Sequence, residues 1–337
     1  MAMSDIVLIP YRDMEREFHR ILLKYHFSPA KAEECAHVFT ENSLDGVLTH
    51  GVNRFSRFIR YVKQGLVRVD AEPVLSHRVG SIEQWDGCLG PGPLNALRCT
   101  GRAMELAREH GMGCVALSNT NHWMRGGYYG WKAAKAGFAF IGWTNTTSNM
   151  PAWGATDPRL GNNPLVLGFP NGETPVVLDM AMSQFSYGTV ELHDRRNQPL
   201  PMPGGFDAHG ALTSDASAIL DSRRLLPAGY WKGSGLALLL DLLAAALSGG
   251  LPTVEISKRE QEYGLSQVFV ACDISQLGNH TRIAALVSSV LDNLHHSNPD
   301  AAGQVLYPGE GVTRARVENL SRGIPVDASI WQEVLSL

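Results

Sequence analysis

Apolar side chains recur at helical spacing along the N-terminal part of the chain. Phe18, Leu22 and Tyr25 fall on one face, and Phe55, Phe58, Ile59 and Val62 form a second stripe, so each segment offers one side to a core. Ser28-Pro29 reads as an N-cap followed by the residue best suited to a first helical turn. The pattern predicts a small helical unit. From about residue 74 the texture changes. Short apolar runs, Cys114 to Leu117, Phe138 to Trp143, Leu165 to Phe169 and Val176 to Leu178, alternate with helical segments near 94–110 and 127–136, which predicts an α/β body. A buried helix is expected over 234–248, ended by Gly249-Gly250, then a strand from Val268 to Cys272 and helices near 282–295 and 327–336. Those last segments are expected to pack back on the N-terminal helices. Pro199 to Gly210, rich in Pro and Gly, predicts an excursion loop, and no repeat or low-complexity tract is found.

Composition narrows the class. At 337 residues the chain exceeds the ~150-residue guide for one domain, which leaves ample apolar sequence for a core. Hydrophobic residues make up 44%, charged residues 18% and the net charge is −4, with no run of either sign, which argues against disorder and against a nucleic-acid partner. Cys35, Cys88, Cys99, Cys114 and Cys272 show no paired spacing, which suits a reducing compartment. Met1-Ala2-Met3-Ser4-Asp5 shows no basic region followed by an apolar stretch. The apolar run Leu236 to Leu247 is interrupted by Asp241 and falls short of a ~20-residue span. The expectation is a soluble cytoplasmic protein with no membrane partner.

Candidate chemistry begins at Thr49-His50-Gly51-Val52-Asn53-Arg54-Phe55. His50 and Arg54 are four apart and would share a face if both sat in the first turns of the following helix. Histidine transfers protons near neutrality and the arginine fork matches a carboxylate, so the pair fits an acidic substrate with a carbonyl. The plainer alternative is a capped turn and a solvated helix face. Polar clusters at Asn119 to Gly127, Trp143 to Asn149 and Gly161 to Pro164 flank apolar strands, where ligand sites and ordinary turns are both common. Lys232 within Gly229 to Gly235 offers a phosphate a glycine-flanked helix start, and Pro308-Gly309-Glu310 reads as a tight turn. A dinucleotide fingerprint is absent: Gly111-Met112-Gly113 precedes a strand, and Leu238 stands where Gly233-Ser234-Gly235 would need a third glycine. No metal site is expected, since neither H-E-x-x-H nor paired cysteines occur.

Several of these stretches, together with Ile82 to Asp86, Asp179 to Ser183 and Gly229 to Gly235, occur in the order found in one family. The chain resembles the malate/L-lactate dehydrogenase family of the non-Rossmann kind from about residue 11 to its C-terminus. The resemblance implies an NAD-binding α/β domain with a mixed sheet (74–279) beside a helical domain made from both chain ends (1–73 plus 280–337), and a homodimer. It also accounts for the missing glycine fingerprint. His50 is implied as proton donor, with Arg54 and His122 beside it in catalysis. Thr49, Arg54, His122 and Asn145 are implied as substrate contacts. Pro175, Val176, Val177, Leu178, Asp179, Met180, Ala181, Trp231, Lys232, Gly309, Glu310 and Gly311 are implied as cofactor contacts, for NADH, with NADPH open. The implied reaction reduces a 2-keto acid, 2,3-diketo-L-gulonate first. Malate, lactate, ureidoglycolate, sulfolactate or cyclic imino acids remain alternatives, as does a carboxylate-binding protein without turnover. The chain departs from the family pattern at Thr49, where Ser is usual, and at Tyr128, Asn162 and Glu310, where a member carries Ser, Thr and His.

Overall fold

The computed structural model describes residues 6–300 and 303–337; Met1 to Asp5, read above for an export signal, lie outside the described residues. Ile6–Ile9 (β1) leads into Tyr11–Lys24 (α1), which buries Met14, Phe18, Ile21 and Leu22. Pro29–Leu44 (α2) starts where the Lys31 N–H donates to Ser28 Oγ at 3.4 Å, and Val52–Lys63 (α3) buries Phe55, Phe58 and Ile59. Phe18 stacks on Phe55 at 4.1 Å and Phe39 meets Phe55 edge-on at 5.1 Å, so the three helices share an aromatic core. The predicted stripes coincide with these buried faces.

The α/β body opens with the hairpin Val74–Val79 (β2) and Ile82–Asp86 (β3). Gly92–His110 (α4) crosses to Met112–Thr120 (β4), and Gly126–Lys135 (α5) leads to Phe138–Thr144 (β5). A small hairpin, Ser148–Pro151 (β6) with Pro158–Gly161 (β7), precedes Leu165–Phe169 (β8) and Val176–Met180 (β9). The chain then leaves the sheet through Tyr187–Arg195 (α6), Gly205–Phe206 (β10), Leu212–Thr213 (β11) and Ala216–Ser222 (α7). The expected excursion at Pro199 to Gly210 is the middle of this larger one. Trp231–Ser248 (α8) and Thr253–Ile256 (α9) return it to Leu265–Asp273 (β12).

The main sheet has seven strands in the order β2-β3-β4-β12-β5-β8-β9. β3 and β4 pair in parallel, joined by α4 as crossover, and the other neighbours are antiparallel. The late strand β12 is inserted at the centre, where Val268 faces Ala116 of β4 on one side and Trp143 of β5 on the other. Val115, Leu117, Phe140, Phe269 and Ala271 face the core shared with α4, α5 and the N-terminal helices; Ala116, Trp143 and Val268 face Ala237, Leu240 and Ala244 of α8. Covering both faces makes β4 and β12 read as unbroken apolar runs, while Ile141 of β5 stays 44% exposed.

His280–His295 (α10), Glu310–Arg322 (α11), Ile324–Asp327 (β13) and Ala328–Leu335 (α12) complete the chain. β13 pairs antiparallel with β1, from Ile6 opposite Asp327 to Ile9 opposite Ile324. α11 packs on α2 and α12 on α3, so both chain ends close one helical layer. The tight turn read at Pro308-Gly309-Glu310 is present, closed by the Glu310 N–H donating to Tyr307 O at 3.1 Å, and it leads into α11 with Gly309 at φ 103° as the N-cap. α11 shows no apolar stripe because the residue it buries is Asn319, whose Nδ2 donates to Leu44 O at 2.7 Å.

Candidate active site

A cavity of about 510 Å³ lies where the start of α3 faces the loops after β4 and β5. His50 closes the 3-10 turn Leu48–His50, and its carbonyl accepts Asn42 Nδ2–H at 3.1 Å. Gly51 follows. A Cβ there would fall 2.2 Å from Ser43 Oγ, the atom that accepts the Val52 N–H at 2.9 Å, so glycine is what allows α3 to begin against α2. The expected i,i+4 pair on one helix is therefore corrected. His50 sits on the turn before α3 and Arg54 on its first turn, yet both line the cavity.

Thr49 Oγ1 lies 3.1 Å from His50 Nδ1. The rings of His50 and His122 are 5.7 Å apart and inclined by 26°. The Met124 N–H donates to His122 Nδ1 at 2.9 Å, with Met124 held at φ 67°, so the neutral His122 ring keeps its proton on Nε2. Burial and the neighbouring cations Arg54 and Arg125 lower the His50 pKa to about 3; burial, Arg54 and His50 lower His122 well below the ordinary range. Both rings thus bind fewer protons folded than unfolded. Stability is undiminished by them above the unfolded value of about 6.5 and falls as pH drops below it, by on the order of 1 kcal/mol per pH unit for each ring, less whatever cavity water screens. Urea midpoints between pH 6.5 and 4.5 should show a shallower acid loss in His122→Asn than in the native chain. Equal slopes would contradict the linkage.

Five arginines line the cavity, Arg54, Arg57, Arg125, Arg223 and Arg259, and the first three each meet a carboxylate. Arg54 Nη2 is 3.9 Å from Glu262 Oε1, Arg57 Nη2 donates to Glu191 Oε1 at 2.9 Å, and Arg125 pairs with buried Asp45. Asp179 accepts the Gly127 N–H at 2.7 Å, and burial pushes its carboxyl up against the opposing pull of Arg125. Arg57 was not singled out in the sequence, although its spacing of three from Arg54 on one helix could have marked it. Glu262, Arg223 and the α6 start at Ser186 to Thr189 also line the cavity, and nothing in their local sequence marks them.

Thr49, His50, Arg54 and His122 all face this space, as do Thr146 to Asn149 and Asn162 from the polar clusters. Asn145 is corrected. It is fully buried, donates through Nδ2 to Asp241 (2.9 Å) and Leu251 O (2.7 Å), and accepts the Ser266 N–H through Oδ1 (2.8 Å). It pins β5 to α8 and β12, and the cavity wall begins one residue later. Tyr128 is likewise off the wall, packed edge-on against Tyr129 at 5.5 Å.

The expected cofactor segments converge along β9. The Val177 N–H donates to Pro308 O at 2.8 Å, and a Cβ on Gly309 would lie 3.0 Å from Pro175 O. Just past the other end of the strand, Met182 O accepts the Ala228 N–H at 2.9 Å and lies 2.7 Å from where a Gly233 Cβ would be, which brings in the start of α8 with Trp231 and Lys232. Asp179 and Ala181 reach the cavity itself; Trp231, Lys232, Gly309, Glu310 and Gly311 lie outside its wall. Val176 and Leu178 are on the opposite face, in an apolar hollow with Ile141 and Leu167. Glu310 is engaged by His295 Nε2 at 3.0 Å and Arg314 Nη2 at 2.9 Å. A nicotinamide fits the cavity on one further observation: Asn149 Oδ1 is buried at its wall without a partner, an acceptor suited to a carboxamide N–H.

A histidine pair beside an arginine in one cavity can bind a small carboxylate and exchange a proton with a neighbouring oxygen. Residues 9–335 match the family model for malate/L-lactate dehydrogenase, and the chain belongs to that family of oxidoreductases acting on hydroxy and keto acids. It is 41% identical over 334 residues to the 2,3-diketo-L-gulonate reductase of Pasteurella multocida (strain Pm70), covering 98% of this chain and 99% of the relative. The fold matches a dehydrogenase from Sinorhizobium meliloti with TM-score 0.90 at 25% identity, over 100% of this chain and 99% of that one. It also matches malate dehydrogenase from Entamoeba histolytica with TM-score 0.93 at 23% identity, over 98% of both, a likeness of fold alone. Membership in a dehydrogenase family points to a nicotinamide cofactor.

Proposed function

We propose that the protein reduces the C2 carbonyl of 2,3-diketo-L-gulonate to the alcohol, giving 3-keto-L-gulonate, with NADH as reductant. The observation that carries the reading is the placement of His50 and His122 beside Arg54 in one cavity large enough for a sugar acid and a nicotinamide ring. The full-length relatives that bear this activity in their names support the choice of substrate.

Arg54 holds the C1 carboxylate through its planar fork. A bound reduced nicotinamide supplies the hydride to C2. His122, with its proton on Nε2, donates a hydrogen bond to the carbonyl oxygen, and His50 gives that oxygen the proton that completes the alcohol. Asn149, Asp179 and Ala181 would hold the ring end of the cofactor, with Pro175, Val177, Met180, Trp231, Lys232 and Gly309 to Gly311 along the rest; Val176 and Leu178, on the opposite face of β9, are left out of that contact. In this arrangement the layer formed by 1–73 and 280–337 presents the acid–base and carboxylate groups to the 74–279 body.

A second copy of the chain is proposed to cover α8. This helix is long and apolar enough to cross a membrane by length and composition alone, but its Asp241 accepts hydrogen bonds from Asn145 and Thr253, and Leu239 and Leu242, each 55% exposed, face outward. A soluble homodimer of the cytoplasm suits such a surface.

Loss of NADH absorbance on adding 2,3-diketo-L-gulonate tests the reading, with NADPH run in parallel. Rapid oxidation is expected, and Arg54→Ala should raise KM at least about tenfold by removing a charged hydrogen-bond donor. No oxidation with either cofactor sinks the proposal.

A further inference from the structure

Glu262 is an acid in a cavity built to receive an acid. Its Oε1 stands 3.9 Å from Arg54 Nη2, close enough to share the charge and too far to occupy the guanidinium donors. The carboxylate is fixed in place. Its Oε2 accepts the Thr147 N–H at 3.1 Å, and the loop behind it is strapped down where the Ser148 N–H donates to Ser257 Oγ at 2.8 Å. Arg259, also on the cavity wall, is engaged by Tyr263, donating to its carbonyl at 2.8 Å and lying 4.2 Å over its ring.

We propose that Glu262 is a specificity-determining residue, which makes the cavity accept 2-keto acids with one carboxylate and a hydroxylated tail and reject those with a second anionic end. The charges along α3 and its neighbouring loop support this balance. Arg57 and Arg125 are already matched by Glu191 and Asp45, so Arg54 is the α3 cation left to take a ligand carboxylate. A second ligand carboxylate near Arg54 would face Glu262 as a like charge in a partly desolvated space. A hydroxylated tail meets the opposite situation. Carboxylate oxygens accept hydroxyl hydrogens, and Gln261, whose Oε1 takes the Tyr61 hydroxyl at 3.1 Å, keeps its amide N–H groups for hydroxyl oxygens.

The inference rests on the site being that of a 2-keto acid reductase, and two measurements separate its failure from that of the wider reading. The first compares kcat/KM for 2,3-diketo-L-gulonate and oxaloacetate in the native enzyme and in Glu262→Gln, which keeps the side-chain shape and an oxygen for the Thr147 N–H. The native enzyme should strongly prefer the sugar acid. The variant should shift the ratio toward oxaloacetate by about tenfold to a hundredfold, mainly through KM. The second, calorimetric binding of malate and of lactate, needs no turnover: Glu262→Gln should gain affinity for malate and not for lactate. Unchanged ratios in both, or a native enzyme that prefers oxaloacetate with Arg223 holding the second carboxylate, overturn the assignment. Absent turnover with the malate shift intact instead overturns the reductase reading and leaves the charge selectivity standing.

Discussion

Replacing His50 with alanine should lower kcat for keto-acid reduction by about 10²–10⁴ while leaving the affinity for reduced nicotinamide unchanged. The size follows from losing the proposed proton donor, while the segments along β9 proposed for the cofactor do not include His50. The pH dependence gives the sharper test. Without a ligand, burial and the charges of Arg54 and Arg125 hold His50 near a pKa of about 3, so it is neutral at pH 7. A carboxylate arriving on Arg54 cancels one of the two opposing charges and favours the imidazolium. The native enzyme should therefore take up a proton as it binds the keto acid, and kcat/KM for reduction should fall as pH rises through neutrality. Proton uptake is read from binding heats in buffers of different ionisation enthalpy, and both signatures should vanish in His50→Ala. A variant that keeps a tenth or more of the native kcat would remove His50 from the proton step and turn attention to His122 Nε2.

What could be read from the chain, and what could not, follows from how each element is stabilised. The run at 114–117 stood out because both faces of the sheet are covered there, and β12 was visible for the same reason at its centre; the runs at 138–143 and 165–169 read as apolar although Ile141 and Leu167 stay 44% and 40% exposed in an apolar hollow. α11 was missed because it docks through Asn319 and arginine pairs. β1 and β13 were missed because four-residue strands at opposite ends of a chain have no local signal for pairing. In the site, Thr49, His50 and Arg54 were legible as a compact motif. The polar ends of β4 and β5 were legible as places where a cleft forms, though not residue by residue. Asn145 and Asn149 are both asparagines after the same strand; one is bonded at every polar atom and the other keeps Oδ1 free at the cavity, a difference set by β12 and α8. Glu262 comes to Arg54 only because the chain returns to the centre of the sheet late, which no spacing encodes.

Asp45→Ala should destabilise the protein by about 3–5 kcal/mol, the largest loss expected of any single change described for this chain. Asp45 caps the end of α2 and is 6% exposed; it binds Arg125 from the loop that carries His122, and accepts Arg316 Nε at 2.8 Å from α11. Removing it leaves Arg125, itself 5% exposed, as a buried cation that has lost its ion-pair partner and keeps only the attraction of Asp179. Arg316 suffers less, because Glu41 remains its partner. The cost therefore lies in the stranded charge more than in a lost attraction, and this makes a distinctive prediction: Arg125→Met in the Asp45→Ala background should recover a large part of the stability by removing the cation that was left behind. Urea unfolding of the four proteins in the cycle measures it. If Asp45→Ala costs less than about 1 kcal/mol, or if the double variant is as unstable as the two single losses added together, the pair is acting as an ordinary surface bridge. If the recovery is seen, the stability of α2 and α11 and the position of the His122 loop depend on one carboxylate, which ties the helical layer to the chemistry it presents.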